Sequence, residues 1–407
     1  MRSGFLGSPP GWSPLPAPRH PTTGRGGRDG ASGRERIVSG EQGDDLVVHH
    51  LVLRGTNHAI GRHLGELVRA RYGVQAAATE DPLRTRVQRE WLRGHAPAHF
   101  ERMRGAADAL GVDLADDARD VSRLGTPPVA AGCSAIFLPS RRAASGHPLV
   151  SRAFDFAGPL ARPGAGAPPA ASRPYVLELH PDEGHASLAV CAFDLLGAAL
   201  DGVNDEGLVV VAASDVESAA VGLEPAGSAV GLDELQVVRH LLDTCATAAD
   251  ARDALLGMKH YYAAYPAHWL VADRHGDAFV FEISALRNRA HLVEAADRPL
   301  VATNHLLHRH PEGDPLPRVP DPVGTFARFR AIAAGLSEAA APLDVAGLSA
   351  VASRGFAPPD GALRTLWHGV YDAVERTLTA RFFVAGAREP GPSAAERSTT
   401  ARFRLAA

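Results

Sequence analysis

The chain has 407 residues, 45% of them apolar and 22% charged, and a formal charge of −4. Its length predicts two or three domain-sized units, or one large domain with an attached segment, and the apolar share supports a sizeable core. The charge excludes a strongly basic nucleic-acid binder, and no run nears the roughly 18 apolar residues of a membrane-spanning helix.

Residues 1–43 are crowded with glycine and proline and hold no apolar stretch of the signal-peptide kind, so they read as a disordered tail of a cytoplasmic protein. Ile60, Leu64, Leu67 and Val68 then fall at i, i+4, i+7 and i+8. Phe100, Met103, Ala107 and Leu110 repeat that face before Gly111, so 44–132 reads as a mainly helical leader. The texture changes at Cys133. Strands are predicted over 133–138 and 149–156 around a Ser145-Gly146-His147-Pro148 turn, followed by a loop over 161–172. Further strands are expected at 175–179, 186–193, 198–203 and 208–213, the last two joined by the turn Asn204-Asp205-Glu206-Gly207. Helical periodicity covers 232–242 and 249–256, and a second hairpin covers 268–272 and 278–283. This order argues an α+β fold with antiparallel sheets over 133–386. Residues 387–407 read as a loose tail.

Several chemistries are missing. The only lysine, Lys259, lies in Leu256-Gly257-Met258-Lys259-His260, which is no phosphate loop, so a Walker-type ATPase is excluded and a lysine Schiff base disfavoured. No G-x-S-x-G, dinucleotide-binding glycine pattern or H-E-x-x-H occurs. His305, His308 and His310 match no standard ligand spacing, so no metal is expected. The three cysteines are too scattered for a disulfide framework. Cys191 and Cys245 sit in apolar contexts and read as core residues. Cys133 differs, because it follows Gly132 at the boundary between leader and first strand. Arg152 and Asp155 lie on the returning strand, and taken alone their spacing reads as a surface ion pair.

An ordered series of motifs spans residues 46–385: Gly55-Thr-Asn-His-Ala-Ile-Gly61-Arg-His-Leu-Gly65-Glu66, Gly132-Cys133-Ser134, Arg152-Ala-Phe-Asp155, Asp201-Gly202-Val203-Asn204, His268-Trp269, Thr303-Asn304-His305, Phe326-Ala-Arg328-Phe-Arg330 and Thr365-Leu366-Trp367. In that order they resemble the acyl-coenzyme A:isopenicillin N acyltransferase-like family, relatives of the choloylglycine (bile salt) hydrolases among the N-terminal-nucleophile hydrolases. Each motif is weak alone; the series is specific.

The resemblance implies a four-layer αββα sandwich with the leader wrapped against it, and cleavage of a precursor between Gly132 and Cys133. Cys133 would be the nucleophile. Its freed α-amino group, with a pKa of about 7.7–8.0, would serve as base without a histidine. Asp155 would hold that amine, Arg152 would favour the thiolate, Asn304 would donate to the oxyanion and Arg328 would steady the network. Where bile salt hydrolases place a second oxyanion asparagine, this chain has Ser214, whose backbone N–H or hydroxyl would have to serve. The implied reaction cleaves or forms a linear amide through a thioester acyl-enzyme. The substrate is a small acylated amine or acyl thioester, and no cofactor is needed beyond acyl-coenzyme A as co-substrate in transfer. The cleaved leader is the expected partner, with no nucleic acid or membrane. Two other readings stay open: an esterase or thioesterase using the same cysteine, and an unprocessed, non-catalytic relative that binds a ligand or partner. Asp201 and Asn204 read as turn and strand-end residues, and Trp269, His268 and His305 as structural.

Overall fold

The computed structural model describes residues 30–41, 44, 46–125, 132–157, 174–221, 229–284, 289–311, 314–318, 321, 323–358, 363–384 and 398–406. In chain order it forms β1 (Ser32–Ser39), β2 (Val48–Gly55), α1 (Asn57–Tyr72), β3 (Ala77–Ala78), α2 (Pro82–His95), α3 (Pro97–Leu110), β4 (Arg119–Asp120), β5 (Gly132–Leu138) and β6 (Leu149–Ala157). Then come β7 (Tyr175–Pro181), β8 (Ser187–Cys191), β9 (Asp201–Asn204), β10 (Val209–Ser214), α4 (Val216–Ala220), α5 (Gln236–Thr244) and α6 (Ala248–Gly257). The chain closes with β11 (Ala267–Ala272), β12 (Ala278–Ser284), β13 (Arg289–Glu294), β14 (Leu300–Ala302), α7 (Thr325–Glu338), α8 (Val345–Ser353), β15 (Leu363–Asp372), β16 (Thr377–Phe383) and β17 (Ser398–Arg404).

Two large sheets result. One runs β1-β2-β7-β8-β9-β10-β11-β12-β13, the other β14-β5-β6-β15-β16-β17. β10 packs on β5 between the sheets, α5 and α6 cover β9–β12, and α7 and α8 cover β14, β5, β6 and β15. That is the expected α+β, αββα layering, and it explains the wholly buried β5, β8, β9 and β11, which are covered on both faces. No helix among the described residues is long and apolar enough to cross a membrane.

The leader departs from expectation. It holds the two helices read from periodicity, α1 and α3, with α2 between them, and α1 crosses α3 where Gly61 meets Gly105: a Cβ on Gly61 would lie 1.9 Å from the Arg102 carbonyl oxygen. But β2 enters the large sheet between β1 and β7, parallel to β7, so the leader is part of the sandwich and the sheet is not purely antiparallel. A buried ion pair, Arg102–Asp243, also ties α3 to α5.

Both tails need correction. Residues 32–39, expected to be disordered within 1–43, form β1; residues 398–404, expected loose within 387–407, form β17. Each is an edge strand, ordered through backbone pairing with β2 or β16 rather than through an apolar face of its own. Residues 1–29 and 385–397 lie outside the described residues, as does the expected loop 161–172. Helix α5 starts at Gln236 instead of Leu232, because the Asp233 carboxylate accepts from the N–H groups of Leu235 and Gln236 and Leu232 bridges to His260. The 198–203 strand is shifted to Asp201–Asn204. The turn that follows is as expected, with Asn204 Oδ1 accepting from Glu206 and Leu208.

Candidate active site

Antiparallel pairing of β5 with β6 sets Gly132 opposite Asp155 and Cys133 opposite Phe154. Opposed residues share a face, and faces alternate along a strand. Cys133 therefore points with Phe154 and Arg152 into the space between the sheets, while Asp155 points the other way, towards α7. The Arg152–Asp155 pair suggested by their spacing does not form: three positions apart on one strand, they lie on opposite faces.

Each finds its own partner. Arg152 Nε lies 2.9 Å from Asp201 Oδ2, and its Nη2 lies 3.4 Å from Cys133 Sγ. On the outer side, Arg328 reaches in from the first turn of α7 and its Nη1 donates to Asp155 Oδ2 at 3.0 Å and to the Cys133 carbonyl at 2.9 Å. Thr365, directly opposite Asp155 on β15, donates to Asp155 Oδ1 at 2.6 Å. Gly132 is close-packed here: a Cβ would lie 3.0 Å from Asp155 Cβ and 3.1 Å from Oδ2.

Asn304 is oriented by its neighbours. The Cys133 N–H donates to its Oδ1 at 3.0 Å and Arg328 Nη2 donates to the same oxygen, so the oxygen must face these two donors. The Nδ2 group then donates to the Ser214 carbonyl at 2.8 Å. The turn that carries Asn304 is pinned by Thr325, whose Oγ1 accepts from the Asn304 N–H at 2.7 Å and lies 2.8 Å from Thr303 Oγ1. Ser214, at the end of β10, enters through its main chain: its carbonyl takes the Asn304 amide and its N–H faces the Cys133 sulfur. In this uncleaved chain the Cys133 nitrogen is on Asn304, not on Asp155.

Burial raises the Cys133 thiol above its ordinary value; Arg152 opposes this most strongly, and Asp155 adds to it. Asp201 is pushed up by burial against the opposing pull of Arg152 and the hydroxyl of Tyr371. Five of the residues singled out in the sequence, Cys133, Arg152, Asp155, Asn304 and Arg328, thus come together, with Ser214 joining by its backbone. Asp201, Thr325, Thr365 and Tyr371 were missed as site residues. Asp201 reads as a turn or strand-end residue, nothing local to Thr365 or Tyr371 marks the contact each makes, and Thr325 looks like any helix start.

The remaining candidates lie elsewhere. His305 Nδ1 is 3.0 Å from Thr325 Oγ1, His308 Nδ1 is 2.7 Å from Glu282 and His310 Nε2 is 3.1 Å from Glu217, so each has a separate partner. Among the described residues the only trio whose ligand atoms converge for a metal is His185, Asp205 and Glu206, on two turns. Cys191, Cys245 and Trp269 are buried in the core. A cavity of about 560 Å³ opens beyond β14 and α7, lined by Leu300, Val301, Phe329 and Leu336 among others, and does not reach Cys133.

The model of the acyl-coenzyme A:6-aminopenicillanic acid acyl-transferase family matches residues 166–382, which takes in Asn304 and Arg328 and begins beyond Cys133, Arg152 and Asp155. Penicillin V acylase from Agrobacterium tumefaciens is similar in structure at 15% identity, over 64% of this chain and 84% of that one, with a TM-score of 0.38. A mutant of conjugated bile acid hydrolase from Clostridium perfringens is similar at 11% identity, over 66% and 92%, with a TM-score of 0.44. The Caenorhabditis elegans ortholog of N-acylethanolamine-hydrolyzing acid amidase follows at 14%, over 67% and 100%, with a TM-score of 0.37. No curated protein matches the chain. With more than half of its length matched by that one family model, the chain belongs to the acyl-coenzyme A:6-aminopenicillanic acid acyl-transferase family.

Proposed function

We propose that the chain is the precursor of a cysteine N-terminal-nucleophile enzyme that cleaves or forms a linear amide on a small acylated amine. The observation that carries this reading is the surroundings of Cys133: its thiol lies beside Arg152, its N–H is on Asn304, its carbonyl is on Arg328, and a close-packed glycine precedes it.

Maturation would begin with Cys133 Sγ attacking the Gly132 carbonyl. The C–S bond forms as the C–N bond breaks, and the Cys133 nitrogen leaves as an amine with the thiol's proton. Water then cleaves the thioester, leaving a Gly132 carboxylate and a free Cys133 amine and thiol. In turnover that amine, with a pKa of about 7.7–8.0, takes the thiol proton. The thiolate attacks the substrate carbonyl. Asn304 Nδ2 has a second N–H beyond the one given to Ser214, and with the Ser214 N–H it would donate to the oxyanion. Collapse expels the amine and leaves a thioester. Water then gives hydrolysis; a second amine gives transfer, with an acyl-coenzyme A thioester as the natural donor. The leader would stay bound after cleavage, since β2 is paired within the sheet and Arg102 is buried on Asp243.

Intact mass tests this. The wild-type chain should separate into fragments of 132 and 275 residues under denaturing conditions and travel as one complex under native ones, whereas Cys133→Ala stays a single chain. A wild-type chain that remains whole after long incubation overturns the reading. Gly132→Val should slow cleavage at least ~10-fold: the added methyls meet Asp155 and push β5 off β6, and a 1 Å misplacement alone can cost about 100-fold. Cleavage of Gly132→Val at the wild-type rate would show that the close packing does not matter.

A further inference from the structure

We propose that Asp201 is a positioning residue for the Cys133 thiol: it reaches across from the opposite sheet to hold the Arg152 guanidinium against Sγ, and Tyr371 holds Asp201 in turn. The inference rests on the reading of Cys133 as nucleophile and extends it to residues on β9 and β15.

All three side chains are almost fully buried, at 1% exposure for Arg152, 2% for Asp201 and 0% for Tyr371. A buried guanidinium needs an anion, and strand geometry denies Arg152 the nearby Asp155, which lies on the far face of β6 and is taken by Arg328. Among the described residues Asp201 is the carboxylate that meets it. The other contacts of the guanidinium are weak: Nη2 is 3.4 Å from both Cys133 Sγ and the Ala212 carbonyl, and the Phe154 ring lies 4.7 Å from its carbon. None of these would by itself hold a long side chain in one rotamer. The Nε–carboxylate contact is the short one, and it leaves Nη2 turned towards sulfur. Tyr371 rises from β15 two residues beyond Gly369, which pairs with Arg152. It therefore shares the face of Arg152, and its hydroxyl donates to Asp201 Oδ1. The carboxylate is thus gripped on both oxygens, by two residues of the sheet that carries the thiol. Its own sheet supplies the anchor. The same contacts oppose the drive of burial to protonate Asp201.

An ion pair that only joined the two sheets would be indifferent to the sulfur, and this separates the two roles. The measurement is the ultraviolet absorbance of the Cys133 thiolate against pH, taken as the difference between each protein and its Cys133→Ala counterpart. It requires neither turnover nor chain cleavage, so it remains readable if the catalytic reading fails. Arg152→Gln removes the charge beside sulfur and should raise the midpoint by about one pH unit. Asp201→Ala should raise it nearly as far, because the guanidinium is released. Asp201→Asn keeps the shape but removes the anion opposite Nε, so it should raise the midpoint in the same direction as Asp201→Ala. Tyr371→Phe should raise it by a smaller step in the same direction. A wild-type midpoint in Asp201→Ala overturns the proposal, and so does an Arg152→Gln variant that leaves the midpoint in place. If Asp201→Ala does not fold, Tyr371→Phe decides: an unmoved midpoint there overturns it.

Discussion

Replacing Arg328 with methionine is expected to lower the unfolding free energy by about 3–5 kcal/mol and to abolish detectable turnover. The first effect follows from Asp155. Its carboxylate is 1% exposed, its guanidinium partner is Arg328, and among the described residues only the Thr365 hydroxyl would remain to stabilise the charge. Removing one member of a buried pair leaves the other charge uncompensated, which costs far more than the pair contributes. The second effect follows from the other two acceptors. Arg328 also holds the Cys133 carbonyl and the Asn304 side-chain oxygen, so its loss frees both the backbone of the nucleophile and the proposed oxyanion donor. Arg328→Lys keeps the charge, but a point-like ammonium does not reproduce a planar fork serving three oxygens, so a partial loss of both properties is expected. Urea unfolding and an amide-hydrolysis assay on the same preparations check the pair. Full activity in Arg328→Met would remove Arg328 from the site.

Asn304→Asp is expected to reduce kcat by about 100- to 1,000-fold with little change in KM. The substitution keeps an oxygen facing the Cys133 N–H and Arg328, so the support of the nucleophile survives. It removes the Nδ2 donor and sets a second oxygen against the Ser214 carbonyl, which now accepts from Nδ2 at 2.8 Å. Loss confined to kcat is the signature of an interaction made only in the transition state. A matching loss in KM would instead mark Asn304 as a residue that binds the ground state. Steady-state kinetics on the matured enzyme separates the two.

Much of the site was legible because its residues stand in short local motifs. Gly132-Cys133 marks the strand start, Thr303-Asn304-His305 marks the turn after β14, and Arg328 stands one turn into α7. What escaped were residues whose role arises only across strands. Thr365 meets Asp155 because β15 is laid beside β6 with a register that places them opposite each other, and 210 positions of chain separate them. Asp201 faces Arg152 because two sheets stack. Ser214 could be read from the sequence only as a missing asparagine, while the groups it contributes are its carbonyl and N–H, which every residue has.

The sequence by itself determined the α+β class, the helices α1 and α3 of the leader and the hairpins, since these depend on periodicity and turn chemistry within a few positions; the candidate site residues came from the ordered series of motifs and the family it resembles. Only the tertiary structure decided which charge pairs with which. A spacing of three on β6 suggested Arg152 with Asp155; alternation of faces sends one inwards to Asp201 and the other outwards to Arg328. It also decided that β1, β2 and β17 join the sheets: β2 pairs with β7, far along the chain, and β1 and β17 are added at the edges by the backbone groups of β2 and β16 rather than by an apolar pattern of their own.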